Sequence, residues 1–537
     1  MNQKDFDVIV IGTGFAGVYM IHRLLKAGIS ALAIEAGSDV GGTWYWNRYP
    51  GARCDVHSLE YSFAFDEELQ GEWDWPERFA PQPEILRYIQ HVADRFDLRR
   101  HIRFNTRVTA ASFDEASASW TVTTDTGDTL VATSVVMATG CLSNARLPDI
   151  DGIADFAGPI YHTGQWPHEG VDFTGQRVGV IGTGSSGIQA IPCIAQQASH
   201  LTVFQRTPHY SVPARNFQFP DEYIDEWKAT YPEKRAKARD TPVGVLHDFG
   251  SGTWGEADPN WRVEELERRW EKGGNNFMYA FTDVLANPDT NRDVADFVRT
   301  KIAEVIKDPV TRQKIMPVDY PIGTKRLCID TDYYQTFNRD NVSLVDLRSE
   351  PISQMTASAV ITKDGEYPLD ALVCATGYDA MTGSLNAIAI RGRDGQMLRD
   401  LWADGPRSYL GLAVAGFPNL FIVTGPGSPS VFSNMVLSIE HDIEWIGDCI
   451  SWMRENRVAT IEADESAQDN WVRHVSELAE GTLFAQANSW YIGANVPGKP
   501  RVFMPYLGGV NTYQAKCREV AEAGYTGFRI EHPGRMS

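Results

Sequence analysis

Val8-Ile-Val-Ile-Gly12-Thr-Gly14-Phe15-Ala-Gly17 and Val178-Gly-Val-Ile-Gly182-Thr183-Gly184-Ser185-Ser186-Gly187 carry one pattern twice: a short apolar run, then Gly-x-Gly-x-x-Gly. Four apolar residues bounded by glycine read as a buried parallel strand. In the first loop, Gly12 permits the tight turn, Gly14 lets backbone approach a pyrophosphate, and Gly17 allows a helix to pack closely on the strand. The helix start then offers free N–H groups to phosphate. Two such units predict an α/β fold with two Rossmann-like dinucleotide-binding domains, hence two bound dinucleotides.

Outward from the first loop, an apolar-periodic helix runs to about Lys26. Gly28 ends it, and Ala31-Leu-Ala-Ile34 is the next strand. A β-rich run from Val131 to Ala138 closes on Ala138-Thr-Gly140, and Ala371-Leu-Val-Cys-Ala-Thr-Gly377 echoes that ending. After the second loop a helix is predicted from Ile188 to about Gln197, then a strand at Leu201-Thr-Val-Phe204. Residues 221–324 have no glycine loop and read as a helical insertion. Val294, Val298, Ile302 and Val305 share one helix face, and Asp308-Pro309 is expected to stop that helix. The predicted partition is 1–145 with 385–537 for the first nucleotide domain, and 153–220 with 325–384 for the second.

The strand ends differ in charge. Glu35, after the first unit's second strand, is placed to accept hydrogen bonds from ribose hydroxyls. Arg206, in Phe204-Gln-Arg206-Thr207, puts a cation where an NAD site carries an acid. It can pair with a 2'-phosphate, which selects NADPH; the alternative is a solvated arginine just past a strand. Thr183, Gly184, Ser185, Ser186, Gly187, Gln189, Arg206 and Thr207 are the residues expected to hold this second nucleotide.

With 537 residues, 43% hydrophobic and 22% charged, the chain reads as a globular protein of two to four domains. A formal charge of −21 argues against nucleic acid or an anionic membrane as partner. The seven cysteines are scattered without a Cys-x-x-Cys, which excludes a dithiol redox centre and fits a reducing compartment. No stretch approaches the roughly 18 apolar residues a membrane span needs. Val8-Ile-Val-Ile11 reads as a strand, not as the core of a signal peptide. A cytoplasmic protein without a metal site is expected, with a monomer as the simplest oligomeric state.

Between the loops lies Phe156-Ala-Gly158-Pro-Ile-Tyr-His162-Thr-Gly-Gln-Trp166-Pro167. The pattern Phe-x-Gly-x-x-x-His-x-x-x-Trp-Pro resembles the fingerprint of the type I Baeyer–Villiger monooxygenases, flavoenzymes that insert oxygen beside a ketone carbonyl. In that family the motif couples domain positions and is remote from the reacting carbon. The first loop and Ala-Thr-Gly140 resemble the FAD site of flavoprotein oxygenases and reductases. Gly41-Gly42-Thr43-Trp44-Tyr-Trp46 through Asp55 resembles the family's flavin-contacting segment, although its aromatics alone would fit an ordinary core. The resemblance implies FAD contacts from Gly12, Gly14, Phe15, Gly17, Glu35, Gly42, Thr43, Trp44, Trp46, Tyr61, Val108 and Met435.

The same resemblance pairs Asp55 with Arg326, in Tyr320-Pro-Ile-Gly-Thr-Lys325-Arg326. The family reaction runs through a flavin C4a-peroxide that must stay anionic, and a guanidinium remains protonated at any working pH. Lys325 matches the position that joins Arg206 around the 2'-phosphate, and Trp490 one that contacts the NADP ribose. By itself an adjacent Lys-Arg pair would read as solvated surface. Val431, Phe432 and Met435 match a loop lining the ketone pocket. Gly425-Pro-Gly-Ser-Pro-Ser430 and Pro500-Arg-Val-Phe-Met-Pro505 are similar to the phenylacetone and steroid monooxygenases, so aryl, cyclic or bulky ketones are expected, with sulfoxidation as a side activity. Two other readings stay open: a flavin N- or S-monooxygenase, and a non-catalytic two-nucleotide redox sensor.

Overall fold

The computed structural model describes residues 4–533. Both glycine units form as expected. Strand Phe6–Ile11 runs parallel to Ala31–Ile34, with helix Phe15–Lys26 between them, and on its other side to Thr129–Met137. This centre grows into an eight-stranded sheet. Antiparallel strands Val108–Asp114 and Ser119–Thr124 extend one edge. Ala389–Arg391 and Leu420–Ile422, from far along the chain, pair with Val108–Asp114 and Thr129–Met137.

The second sheet has five strands, all parallel, in the order Val342–Asp346, His200–Gln205, Arg177–Ile181, Ala371–Cys374, Ile160–His162. Its helix, Ser185–Gln197, begins three residues before the expected Ile188, directly at the loop. The motif strand Ile160–His162 is thus an edge strand of this sheet. Gly158 precedes it because a Cβ there would stand 2.4 Å from the Asp370 carbonyl oxygen.

The segment between is helical as predicted, with helices Asp221–Ala229, Tyr231–Arg239, Pro259–Lys272, Pro288–Val305 and Pro309–Ile315. Val294, Val298 and Ile302 are buried on one face of the fourth. Asp308-Pro309 does not only end that helix. The Asp308 carboxylate accepts the Thr311 N–H and caps the next helix, where proline's fixed φ suits the first turn. No helix among the described residues is long and apolar enough to cross a membrane.

Candidate active site

The two loops bend alike. Gly12 has φ +98° and Gly182 φ +108°, and a Cβ on either would lie 2.6 or 2.4 Å from the carbonyl oxygen of Ala138 or Ala375. Helices Phe15–Lys26 and Ser185–Gln197 start without a side-chain cap and without an acid in the first turn. Helices beginning after Asp258, Asn287 and Asp464 do carry such caps. The loop helices therefore present bare N–H groups over a floor of glycine, which is what a pyrophosphate requires.

Every residue predicted to contact FAD, except Gly17, lines one cavity of about 410 Å³. Gly17 lies beneath it, where a Cβ would stand 1.8 Å from the Gly12 carbonyl oxygen. Glu35 is buried and held at both oxygens. Oε2 accepts the Thr13 N–H at 2.7 Å and the Thr13 hydroxyl at 2.9 Å, and Oε1 accepts the Gly37 N–H at 2.8 Å. The cavity wall also includes Thr106, Arg107, Ser384 and Tyr378. Nothing in their local pattern marks them; tertiary pairing brings them here, as when Thr106 N–H donates to the Glu35 carbonyl at 2.9 Å.

At the second loop Thr183 donates its hydroxyl to the Thr207 carbonyl at 3.0 Å, joining loop and strand end. The Ser185 hydroxyl lies 3.1 Å from the Cys328 sulfur, and Arg206 is exposed. Lys325 is half-buried, its ammonium 4.8 Å from the centre of the Tyr320 ring. Burial, and then repulsion by the like charge of nearby Arg206, pull its pKa down to about 8. Two cations held close with one partly desolvated form an anion site suited to a phosphate. Gln189 joins the two units. Its amide accepts the Tyr49 hydroxyl at 2.7 Å and donates to the Arg53 carbonyl at 3.1 Å, tying the second loop's helix to the segment that follows the first.

That segment ends at Asp55, which meets Arg326 in a two-pronged ion pair. Arg326 Nε donates to Oδ2 at 2.8 Å and Nη2 to Oδ1 at 2.7 Å, and Nη1 donates to the Val431 carbonyl at 3.1 Å. Burial alone would raise the Asp55 carboxyl, but the Arg326 charge and hydrogen bonds hold it below its ordinary value. Arg326 is in turn held well above its own, chiefly by Asp55. Three of the five guanidinium N–H groups are engaged, leaving two for a guest.

The pair sits on the wall of a second cavity, of about 670 Å³. Val431 lines both cavities and Phe432 only this one, packed on Phe484, Tyr491 and Phe503 at ring separations of 5.2, 4.5 and 5.9 Å. Met435, expected at the ketone pocket as well as at the flavin, lines only the first cavity; it is the first residue of helix Met435–Glu455. Much of the second cavity's wall is supplied by the helical segment, through residues between Val243 and Leu285 that the sequence reading left without a role. The Trp490 ring packs at a tilt of 51° against Tyr491, with ring centres 4.3 Å apart.

Of the motif residues, Trp166 reaches from the second unit to the first. Phe156 and Trp166 are buried. The Trp166 N–H donates to the Trp46 carbonyl at 3.3 Å, and His162 Nδ1 accepts the Gly164 N–H at 2.9 Å within its own turn. None of the four motif residues lines either cavity.

Residues 5–217 match the family described as flavin-binding monooxygenase-like. The chain is 42% identical to a Baeyer–Villiger monooxygenase of Pseudooceanicola batsensis, over 97% of this chain and 96% of that one. It is 44% identical to the phenazine N-monooxygenase of Lysobacter antibioticus, over 98% and 97%. A solved steroid monooxygenase bound to NADP superposes with a TM-score of 0.94 at 51% identity, covering 98% of this chain and 99% of that one. The fold and site are those of an NADPH-dependent flavin monooxygenase that uses FAD. The chain belongs to the flavin-binding monooxygenase family, among its type I Baeyer–Villiger members.

Proposed function

We propose that this enzyme oxygenates aryl, cyclic or bulky ketones in the cavity walled by Asp55, Arg326, Val431 and Phe432. Ketone, O2, NADPH and a proton give ester or lactone, water and NADP+. The observation that carries the reading is the Asp55–Arg326 pair, which stands at the ketone-sized cavity where it adjoins the glycine-floored one. When bound, FAD would supply the redox and oxygen chemistry of the reaction. The first-cavity residues hold it, while the second loop with Arg206, Thr207, Lys325 and Trp490 holds NADP.

Arg326 directs its two free N–H groups to the ketone oxygen, where negative charge develops as the carbonyl is attacked. Asp55 fixes the plane of that fork, and the permanence of the guanidinium charge means no proton is given up. Phe432 and Val431 set the space beside the carbonyl. The sheet with the first loop and the chain from 385 onward form the FAD domain, the five-stranded sheet the NADP domain, and the helical segment closes the ketone cavity. Phe156, Gly158, His162 and Trp166 hold the two domains in register. Thioethers are oxidised as a side reaction, and the scattered cysteines, all unpaired, suit work in the cytoplasm.

The similarity to a phenazine N-monooxygenase favours one further reading, oxidation of a planar N-heterocycle among the cavity's aromatic rings. NADPH consumption by the purified protein across ketones, thioethers and phenazines, with products weighed by mass spectrometry, decides between them. Ester formation is expected to dominate, and N-oxide as the main product would overturn the ketone reading. Phe432→Ala should shift relative kcat/KM toward the bulkier of two ketones with little change in melting temperature. Equal loss on both ketones with earlier melting, as for a truncated core residue costing about 2–5 kcal/mol, would remove Phe432 from the pocket.

A further inference from the structure

The ketone cavity contains an ionisable group that the reaction as described does not use. Glu60 is buried and lines the same cavity as Asp55 and Arg326. Its backbone and one carboxyl oxygen are committed. Oε1 accepts the Leu246 N–H at 2.6 Å, and the Glu60 carbonyl accepts the Asn434 side-chain N–H at 2.8 Å and Arg235 Nη1 at 2.9 Å. These bonds fasten Glu60 between the loop after Ser430 and the loop around Val243–Leu246, a junction closed by the Asn434 N–H donating to the Val243 carbonyl at 2.8 Å. Oε2 takes no hydrogen bond from any described residue.

We propose that Glu60 is a specificity-determining residue whose Oε2 hydrogen-bonds a second oxygen function on the substrate, so that the enzyme favours ketones bearing an ether or further carbonyl oxygen over hydrocarbon ketones of equal size. The inference rests on the reading of this cavity as the ketone site. A buried carboxyl can serve an acceptor oxygen only as the neutral acid, donating its O–H. Burial pushes Glu60 up to about 7, against the opposing pull of the Leu246 N–H and the Arg235 charge. The other titratable groups around it are His57 and Tyr61 on its own segment, Tyr223 on helix Asp221–Ala229, and His247 beside Leu246. Burial holds both histidines near pKa 3, so they stay neutral through the working range. Burial also holds Tyr61 and Tyr223 above the ordinary value, so neither loses its proton there. Buried Glu440, on helix Met435–Glu455 and under the same Arg235 charge, is likewise pushed up to about 7, but it lines neither cavity, so Glu60 is the group of this set that changes charge near neutrality against the substrate. An apolar substrate tail lying against Oε2 would strip its water and give nothing back, which is the source of the discrimination.

The experiment compares matched methyl ketones ending in methoxy or ethyl, over several chain lengths, as kcat/KM ratios. At pH 6 the wild type should favour the methoxy member at the fitting length by about tenfold, the value of one hydrogen bond denied to its competitor. The preference should fall as pH rises through about 7. Glu60→Leu should bring the ratio near one. Glu60→Gln, whose amide still donates, should keep a preference that no longer changes with pH. No methoxy preference at any length, or a pH-dependent preference that survives in Glu60→Gln, overturns the proposal. Phe432→Ala on the same series separates the two readings. If it alters size preference while Glu60→Leu leaves the ratio untouched, Glu60 is structural and the cavity remains the ketone site. If neither variant moves any ratio, the ketone lies elsewhere and both fail.

Discussion

The two glycine loops share a backbone and differ in what waits at the end of the next strand. Both turn through a left-handed glycine, both helices start uncapped, and the third glycine of each would drive a Cβ into the first one's carbonyl oxygen, at 1.8 Å for Gly17 and 2.3 Å for Gly187. At the first loop the strand ends in Glu35, a buried acceptor locked by three hydrogen bonds. At the second it ends in exposed Arg206, with Lys325 close enough for the charges to oppose. The frame suited to pyrophosphate is common to both, so on the proposed reading the choice of dinucleotide falls to the side chain beyond it. The Asp55–Arg326 ion pair, proposed above as catalytic, belongs to neither loop alone, since Asp55 follows the first and Arg326 comes from the chain that returns to the second.

The largest effect should come from that junction. Arg326→Ala is expected to remove about 2.7–4 kcal/mol of transition-state stabilisation, about 10²–10³ in ester formation, while FAD stays bound and some reduction by NADPH persists. Arg326→Lys should rescue only in part, because a point charge cannot grip Asp55 with two parallel bonds. Ester formation near the wild-type rate in the alanine variant would take Arg326 out of the chemistry.

Methyl groups test whether the loops divide the labour. Gly17→Ala and Gly187→Ala each force a helix off its loop, with overpacking of about 1–3 kcal/mol or more. Gly17→Ala should purify with depleted FAD. Gly187→Ala should keep its flavin absorbance and lose saturable reduction by NADPH. FAD depletion in both would mean the loops are not separate sites.

The charge difference is tested next. Removing Arg206 costs a charge-assisted contact to the 2'-phosphate, about 1.5–3 kcal/mol, and its exposure to solvent puts the loss at the lower end. Arg206→Ala should raise KM for NADPH by about tenfold and leave KM for NADH nearly unchanged. Equal losses with both coenzymes would show that Arg206 does not read the phosphate.

The loops were legible because their constraint is local: a left-handed turn and a 2 Å approach of backbone admit only glycine. The parallel strands were legible because burial on both faces leaves a continuous apolar run, as in Val178–Ile181. Arg326 and Asp55 lie 271 residues apart, and only the resemblance to a family joined them before the structure did. Gln189 was expected at the nucleotide from its place in the loop helix, but its hydrogen bonds to Tyr49 and Arg53 had no sequence signal, because tertiary packing sets them. Glu60 and the ketone-cavity wall between Val243 and Leu285 gave no signal at all. A glutamate in sequence reads as solvated surface, and a cavity wall assembled from separate loops has no period.

The smallest effect concerns Lys325 and is a matter of sign. Its pKa in the free enzyme lies near 8, pulled down by burial and by Arg206. A phosphate dianion favours the charged ammonium, so binding raises that pKa and is strongest where the lysine already carries its proton. Below pH 8 the contact is present in full. As pH rises through about 8, binding must first recharge the lysine, and affinity falls. KM for NADPH should therefore rise by about fivefold between pH 7 and 9, while KM for NADH, with no phosphate for the lysine to meet, stays flat. Lys325→Arg should abolish the rise, since a guanidinium keeps its charge across that range. If KM for NADPH and NADH climb together, or the arginine variant keeps the slope, the titrating group is not Lys325 and the second loop recognises its phosphate through Arg206 alone.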